Sequence, residues 1–281
     1  AHPSNSEANI ACDWLKTNTD IWSSWVTHET DCPLGWGLIS STGQFVPNRD
    51  AATRCEWCSP GTFSKQIRDE TGKTAVCSPC GKGLFQSSPG KTTCVQCKPG
   101  SFTGMEGMSM CEECQAGTAV NDRGSSGCPT CSPGTFAGAL GSSSCQGCAP
   151  GYIAALSGAK ACDACPIGTF ADDVGLTQCT TCGGGAPWWT TTRMLLVKGT
   201  MQWVKTDAAQ SEEACGCDVG AHLDATGTCV ECTTEGITCP GRGEVVILPG
   251  YYSPAEISVF KCGTSENCVG GRPGETCNDG R

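Results

Sequence analysis

The pair Cys-x-x-Cys returns every 17 residues between Cys77 and Cys182, and no other feature of the chain restricts its fold so strongly. The pairs are Cys77/Cys80, Cys94/Cys97, Cys111/Cys114, Cys128/Cys131, Cys145/Cys148, Cys162/Cys165 and Cys179/Cys182, with an eighth, Cys55/Cys58, set 22 residues ahead of them. A fixed short period means one small unit stacked many times, each touching mainly its neighbours. Three places after the second cysteine stands glycine: Gly61, Gly83, Gly100, Gly117, Gly134, Gly151 and Gly168. Five places on stands Phe63, Phe85, Phe102, Phe136 or Phe170, with Ala119 and Ile153 as exceptions. Ten places on stands a second glycine, Gly90, Gly107, Gly124, Gly141, Gly158 or Gly175, and Gly72 is expected to take that role in the longer first unit. Two glycines per unit supply two turns. The Phe and Thr residues between them suit a short strand. The spacing therefore predicts a small irregular hairpin, with its one large side chain as local core.

Cysteine occupies 26 of 281 positions, while aromatics make up 6% and charged residues 16%. That balance supplies too little apolar surface for a large core, so covalent staples are expected in its place. The fold class is small and disulfide-rich: an elongated tandem array of ~17-residue hairpin repeats, with little regular secondary structure. So many disulfides imply an oxidising compartment, hence an extracellular or cell-surface address. Repeated Cys-x-x-Cys is also the grammar of zinc ribbons, which would make this an intracellular metal protein. Only His2, His28 and His222 are present, however, and none forms a metal-like pattern with a cysteine, so no metal and no cofactor is expected. A redox Cys-x-x-Cys needs one distinctive pair at a helix start, and here all eight pairs look alike.

The net charge of −10 argues against nucleic acid, which requires a basic face. The acidic pairs Asp69-Glu70, Glu112-Glu113, Asp172-Asp173 and Glu212-Glu213 read as solvated surface, since no loop carries the alternating carboxylates of a calcium hand. The longest apolar runs, Met194 to Val197 and Val245 to Leu248, fall far short of the about 20 residues that span a bilayer, so no membrane insertion is expected within this chain. Ala1 in first place predicts an export signal already removed.

Four segments follow from these patterns. Residues 1–54 form a cap rich in tryptophan (Trp14, Trp22, Trp25, Trp36), flanked by Cys12 and Cys32. Residues 55–182 are the array. Residues 183–214 interrupt it: Gly183 to Gly185 read as linker, and the runs Met194–Val197 and Met201–Val204, parted by Lys198-Gly199-Thr200, read as a β-hairpin. Its Trp188, Trp189 and Trp203 are candidates for partner contact. Residues 215–281 resume cysteine-rich folding in another rhythm, with Gly220 again three places after Cys217. Because Cys277 sits in an unfinished pattern, this module is expected to continue beyond Arg281.

The motif Cys-x-x-Cys-x-x-Gly-x-Phe, carried best by Cys58 to Phe63 and Cys131 to Phe136, resembles the ephrin-receptor-like cysteine-rich repeat and the small first module of tumour necrosis factor receptor repeats. The wider layout, with Cys215-Gly216-Cys217 and Pro249-Gly250-Tyr251-Tyr252, resembles large surface proteins of protists of the dinoflagellate type. Trp22-Ser23-Ser24-Trp25 is similar to the Trp-x-x-Trp of thrombospondin-type repeats, which would make Trp22 a mannosylation candidate; O-glycan is a further candidate at Thr190, Thr191 and Thr192. In the receptor module, the second cysteine of one pair bonds to the first of the next. The resemblance thus implies Cys58–Cys77, Cys80–Cys94, Cys97–Cys111, Cys114–Cys128, Cys131–Cys145, Cys148–Cys162 and Cys165–Cys179. Extended outward it implies Cys32–Cys55, Cys182–Cys215, Cys217–Cys229, Cys232–Cys239 and Cys262–Cys268. Four-cysteine blocks bonded first to third and second to fourth, such as Cys55–Cys77 with Cys58–Cys80, satisfy the same spacing.

The chain shows no Gly-x-Ser-x-Gly elbow, no phosphate-cradling loop and no His-Glu-x-x-His. The expected function is therefore non-enzymatic: a disulfide-stapled rod that sets spacing and presents contact surfaces to other extracellular proteins or to copies of itself. A surface filament such as a flagellar hair is one form this would take. A receptor ectodomain binding a soluble ligand is the alternative that the resemblance implies.

Overall fold

The computed structural model describes residues 30–70, 72–254, 258–263 and 268–276. Among the described residues every sheet is an antiparallel pair or triplet of short strands, two turns are 3-10, and there is no α-helix. Two-residue strands recur through the array: Leu84–Phe85 with Val95–Gln96, Ser101–Phe102 with Glu112–Glu113, Thr135–Phe136 with Gln146–Gly147, Tyr152–Ile153 with Asp163–Ala164, and Thr169–Phe170 with Thr180–Thr181. Ladders this short do not stand alone in water, so other forces hold each hairpin closed.

Disulfides are the first. Twelve join the described cysteines, and the seven within the array each run from the second cysteine of one pair to the first of the next. The links Cys80–Cys94, Cys97–Cys111, Cys114–Cys128, Cys131–Cys145, Cys148–Cys162 and Cys165–Cys179 all have a sequence separation of 14. Closing a loop of that length stabilises by about 3 kcal/mol in the chain-entropy account. Cys58–Cys77 precedes them, and Cys32–Cys55, Cys182–Cys215, Cys217–Cys229, Cys232–Cys239 and Cys262–Cys268 complete the set. Four-cysteine blocks are absent from this pairing. Cys12, Cys277 and Trp22 lie outside the described residues.

Backbone hydrogen bonds between successive repeats are the second force, and each repeat from Gly61 to Gly151 makes the same four. Around Gly134, its N–H donates to the Ala154 carbonyl, and its own carbonyl accepts from the Cys148 N–H. The Cys131 carbonyl accepts from Gly158, and the Ala137 N–H donates to Ala159. One repeat along, Gly151 donates to Ala171, Cys165 to Gly151, Gly175 to Cys148 and Ala154 to Leu176. Each hairpin thus hands its open backbone groups to the next, which answers the accounting demanded of buried amides and carbonyls.

The structure comprises two compact units. The first holds the described residues of Ala1–Gln115 with Ala119–Pro129 and Leu140–Ser144; the second holds Ala116–Thr118, Thr130–Ala139 and the described residues of Cys145–Arg281. In the first, the array starts earlier than the cysteine pairs indicate. Cys32-Pro33-Leu34-Gly35 is already a repeat turn, because the Gly35 carbonyl accepts from Cys58 N–H as Gly61 accepts from Cys80. Strand Trp36–Ile39 leaves that turn and pairs with Arg54–Trp57. Leu38, Ala75, Val76 and Cys32 form a small core beneath Trp36, Val46 and Ile67. The long first unit is an eight-residue hairpin, Thr62–Asp69 against Gly72–Pro79. Gly72 lies at its tip and does not serve as the second turn. Ala75 makes that contact instead, donating its N–H to the Cys32 carbonyl.

In the second unit the turn around Gly134 shows why these residues are required. Pro133 and Gly134 fill the centre of a turn closed by Thr135 N–H on the Ser132 carbonyl, and the Thr135 hydroxyl donates to the same carbonyl at 2.7 Å. Gly134 has φ +83°, which the position after proline demands in this turn. A Cβ there would also lie 2.0 Å from the carbonyl oxygen of Gly175, two repeats on. Backbone meets backbone at that point, and neither can move aside.

Replacing Gly134 with Ala should therefore cost more than the about 1–2 kcal/mol charged for a left-handed backbone alone. Gly199→Ala is the reference, since Gly199 has φ +86° but faces open space. Denaturant unfolding of both variants with disulfides intact measures the difference; equal losses would show that the close approach carries no weight.

Candidate functional site

The period breaks at Cys182, whose link to Cys215 spans 33 residues where the preceding link spans 14. Gly183, Gly184 and Gly185 follow with φ 55°, 66° and 83° and coil into a 3-10 turn, Cys182–Gly185. The run is no slack linker. A Cβ on Gly183 would stand 2.3 Å from Trp189 Nε1, so the glycine makes the seat on which that indole lies. Trp189 packs against Phe170, Cys182 and Ala209 on one side and against Cys217, Ala221 and Cys229 on the other.

From Trp189 the chain enters a hairpin. Its inner strand, Trp189–Val197, pairs with the edge strand, Thr200–Lys205, from Thr192↔Lys205 to Val197↔Thr200. Lys198 and Gly199 make the turn with φ 50° and 86°, both positive as a two-residue hairpin turn requires. Across the inner strand's other edge lies Cys215–Cys217, completing a three-stranded sheet in which Thr200–Lys205 is outermost.

The insertion also rebuilds the ladder that it interrupts. After the edge strand, the Ala208 N–H donates to the Cys165 carbonyl and the Ala209 carbonyl accepts from Ala171 N–H. These are the contacts that Gly175 and Leu176 make with Cys148 and Ala154 in the preceding repeat. Ala208 makes its turn with φ 49° and no glycine. One carbonyl is still missing from the pattern. Its place is taken by the Thr191 hydroxyl, which accepts from Gly168 N–H at 3.0 Å and donates to the Thr206 carbonyl at 2.5 Å.

Thr190, Thr191 and Thr192 are therefore not open for O-glycan. They are 3%, 0% and 7% exposed, and the Thr190 and Thr192 hydroxyls are buried without a hydrogen-bond partner. A sugar on any of them would require the strand to leave the sheet. The three tryptophans divide: Trp189 is half-buried and packs against two core clusters, Trp188 is 39% exposed, and Trp203 is half-buried beneath the Arg242 guanidinium, 4.1 Å from its ring centre. Arg242 also donates to the Glu213 carbonyl at 2.7 Å, so the cation is held over the ring.

What the hairpin does present is aliphatic. Met194 stands opposite Trp203 and Leu196 opposite Met201, which places all four on one face of the pleat. Met194, Leu196 and Met201 are 42%, 68% and 57% exposed. A groove at the foot of this face runs between Met194, Met201, Trp203, Pro240 and Glu244. From Pro187 to Thr206 the charged residues are Arg193, Lys198 and Lys205, all cationic in a chain of net charge −10. Lys205 Nζ is paired with Asp218 at 2.5 Å.

Elsewhere in this unit, His222, Cys232 and Cys239 bring their ligand atoms within 4.8 Å of one another, and His222 Nδ1 lies 3.3 Å from Cys232 Sγ. Both sulfurs belong to the Cys232–Cys239 disulfide, which leaves one imidazole and no thiolate as donors. Asp224 beside them caps its own loop. Its carboxylate accepts from the Thr226 hydroxyl and from the Thr228 and Thr226 amides, and these bonds, Thr226's hydroxyl foremost, hold it below the usual carboxylate range. Any stability it lends is present at neutral pH and fades as pH falls through that lowered value. Tyr251 donates to Glu235 at 2.6 Å, and that bond raises the phenol. No helix among the described residues is long and apolar enough to cross a membrane.

No family model matches the chain, and no curated protein matches it. Arg242, Ala208 and the structural role of Thr191 were not foreseeable from the cysteine period, because each acts across a gap in it.

Thr191→Val keeps the shape and removes the hydroxyl, leaving the Gly168 amide unpaired. A loss of about 1–3 kcal/mol is expected for such a buried orphan, with Thr191→Ser losing distinctly less. Thermal unfolding of the two variants compares them directly; equal losses would mean that the threonine methyl, not its hydroxyl, matters.

Proposed function

We propose that this chain is an extracellular structural protein whose stapled repeats hold the Trp189–Lys205 hairpin as a contact surface for other extracellular proteins or further copies of itself. Twelve disulfides in short tandem repeats support the oxidising, non-enzymatic and structural part of this reading. The clustering of Met194, Leu196 and Met201 on one face supports the rest. Other exposed aliphatic residues, such as Leu140, Leu156 and Val174, sit on separate repeat turns, which is ordinary for a protein surface. Three large, exposed apolar side chains side by side on one strand pair are not. Methionine suits such a surface because its unbranched, polarisable side chain adapts to the partner. The resemblance to ephrin-receptor-like repeats and protist surface proteins agrees with the extracellular part of this reading; a surface filament is one form that assembly of further copies would take.

Oxidative footprinting of native surface material against the dispersed chain tests this. Met194 and Met201 should be protected in the assembled material. Met105 and Met110, 64% and 65% exposed on repeat turns, are internal standards that should oxidise in both samples. Equal oxidation of all four in both samples would contradict the reading.

A further inference from the structure

The strand Thr200–Lys205 is the outermost of its sheet, and its backbone has a free side whose residues can be named. Antiparallel residues alternate between facing the partner strand and facing away. The Thr206 N–H donates to the Thr191 carbonyl, so Thr206 faces inward, and with it Val204, Gln202 and Thr200. Met201, Trp203 and Lys205 therefore direct their N–H and C=O groups outward. Soluble proteins guard such edges with proline, bulges or inward-pointing charge. This one has no proline and an unbroken register, and the lysine at its root is already held by Asp218.

We propose that two copies of this chain join edge to edge through Thr200–Lys205, antiparallel, with Trp203 opposite its counterpart. The inference rests on the hairpin being the contact surface, and it names the partner. Only this register employs all three outward residues, pairing Met201 with Lys205 and Trp203 with Trp203, which gives six backbone hydrogen bonds by the antiparallel rule. It places no like charges opposite one another within the strand. It also sets the tip of each hairpin at the root of the other, so Lys198 falls beside Asp207 of the second copy. Both residues are exposed. Within one chain they are separated by the length of the strand, roughly 25 Å at the usual rise per residue, so they cannot pair internally. The Met194, Leu196 and Met201 side chains of both copies then lie on the same side of the joined sheet, flanking the two Arg242-covered Trp203 rings at its centre.

Sedimentation velocity of the full chain over rising concentration, disulfides intact, tests the pairing. The wild type should shift from monomer to dimer. Met201→Pro removes an outward N–H, a position where an edge strand accepts proline, and should weaken the dimer at least tenfold. Lys198→Glu should weaken it also, and adding Asp207→Lys to that variant should restore it. A monomeric wild type, a dimer indifferent to Met201→Pro, or a charge-swapped chain that fails to regain the dimer overturns the inference. A monomeric wild type whose Met194 and Met201 are nevertheless protected in native material removes self-pairing alone and leaves a contact with a different protein.

Discussion

Every repeat in this structure depends on a sulfur bridge that closes its hairpin onto the next. Two-residue ladders contribute little, and the repeats share no common core side chain, with Ala119 and Ile153 standing where others carry Phe. The bridge acts on the unfolded chain, removing conformations that a loop of some fifteen residues would otherwise explore. The backbone bonds between repeats then fall within reach. The cysteine that comes second in each pair is buried along the array, so the sulfurs also supply what apolar interior exists.

Glycine limits this arrangement in a way that turn chemistry alone does not. At Gly134 the backbone two repeats on presses against the position where a side chain would stand, and the same holds at Gly83 against Gly124 and at Gly117 against Gly158. The repeat therefore reads itself over a distance of two units. That is why the hairpin insertion has to regenerate the missing turn with Ala208: the Gly151 position meets the Ala208 carbonyl just as Gly134 meets Gly175. An insertion that failed to do so would leave Cys165, Ala171 and Gly168 with open backbone groups.

The cysteine period carried the architecture openly. A fixed spacing of identical turns leaves few ways to stack, and the hairpin at 183–214 announced itself through two apolar runs around Lys198-Gly199. The repeat start at Cys32 was legible too, in Cys32-Pro33-Leu34-Gly35, but the missing first cysteine hid it behind the neighbouring tryptophans. Burial at Thr190 to Thr192 was not legible. Three threonines beside a glycine run look like exposed linker, and only the carbonyl missing opposite Gly168 explains why Thr191 points inward. Trp189 misled for a related reason: its pocket is made by Gly183 and by the Cys217–Cys229 link, distant in sequence on one side and featureless on the other.

The hairpin proposed as a contact surface is held at its root by this framework. Trp189 anchors the hairpin root, Arg242 clamps Trp203, and Lys205 is fixed to Asp218, so the Met and Leu face is offered by a strand pair that is held at its base. This whole arrangement depends on bridges that run from one repeat to the next. Peptide mapping of the unreduced chain tests that most directly. The account predicts a fragment joined by Cys80–Cys94 and its equivalents through Cys165–Cys179; recovery of Cys58 bonded to Cys80, or of free thiols at these positions, would contradict it.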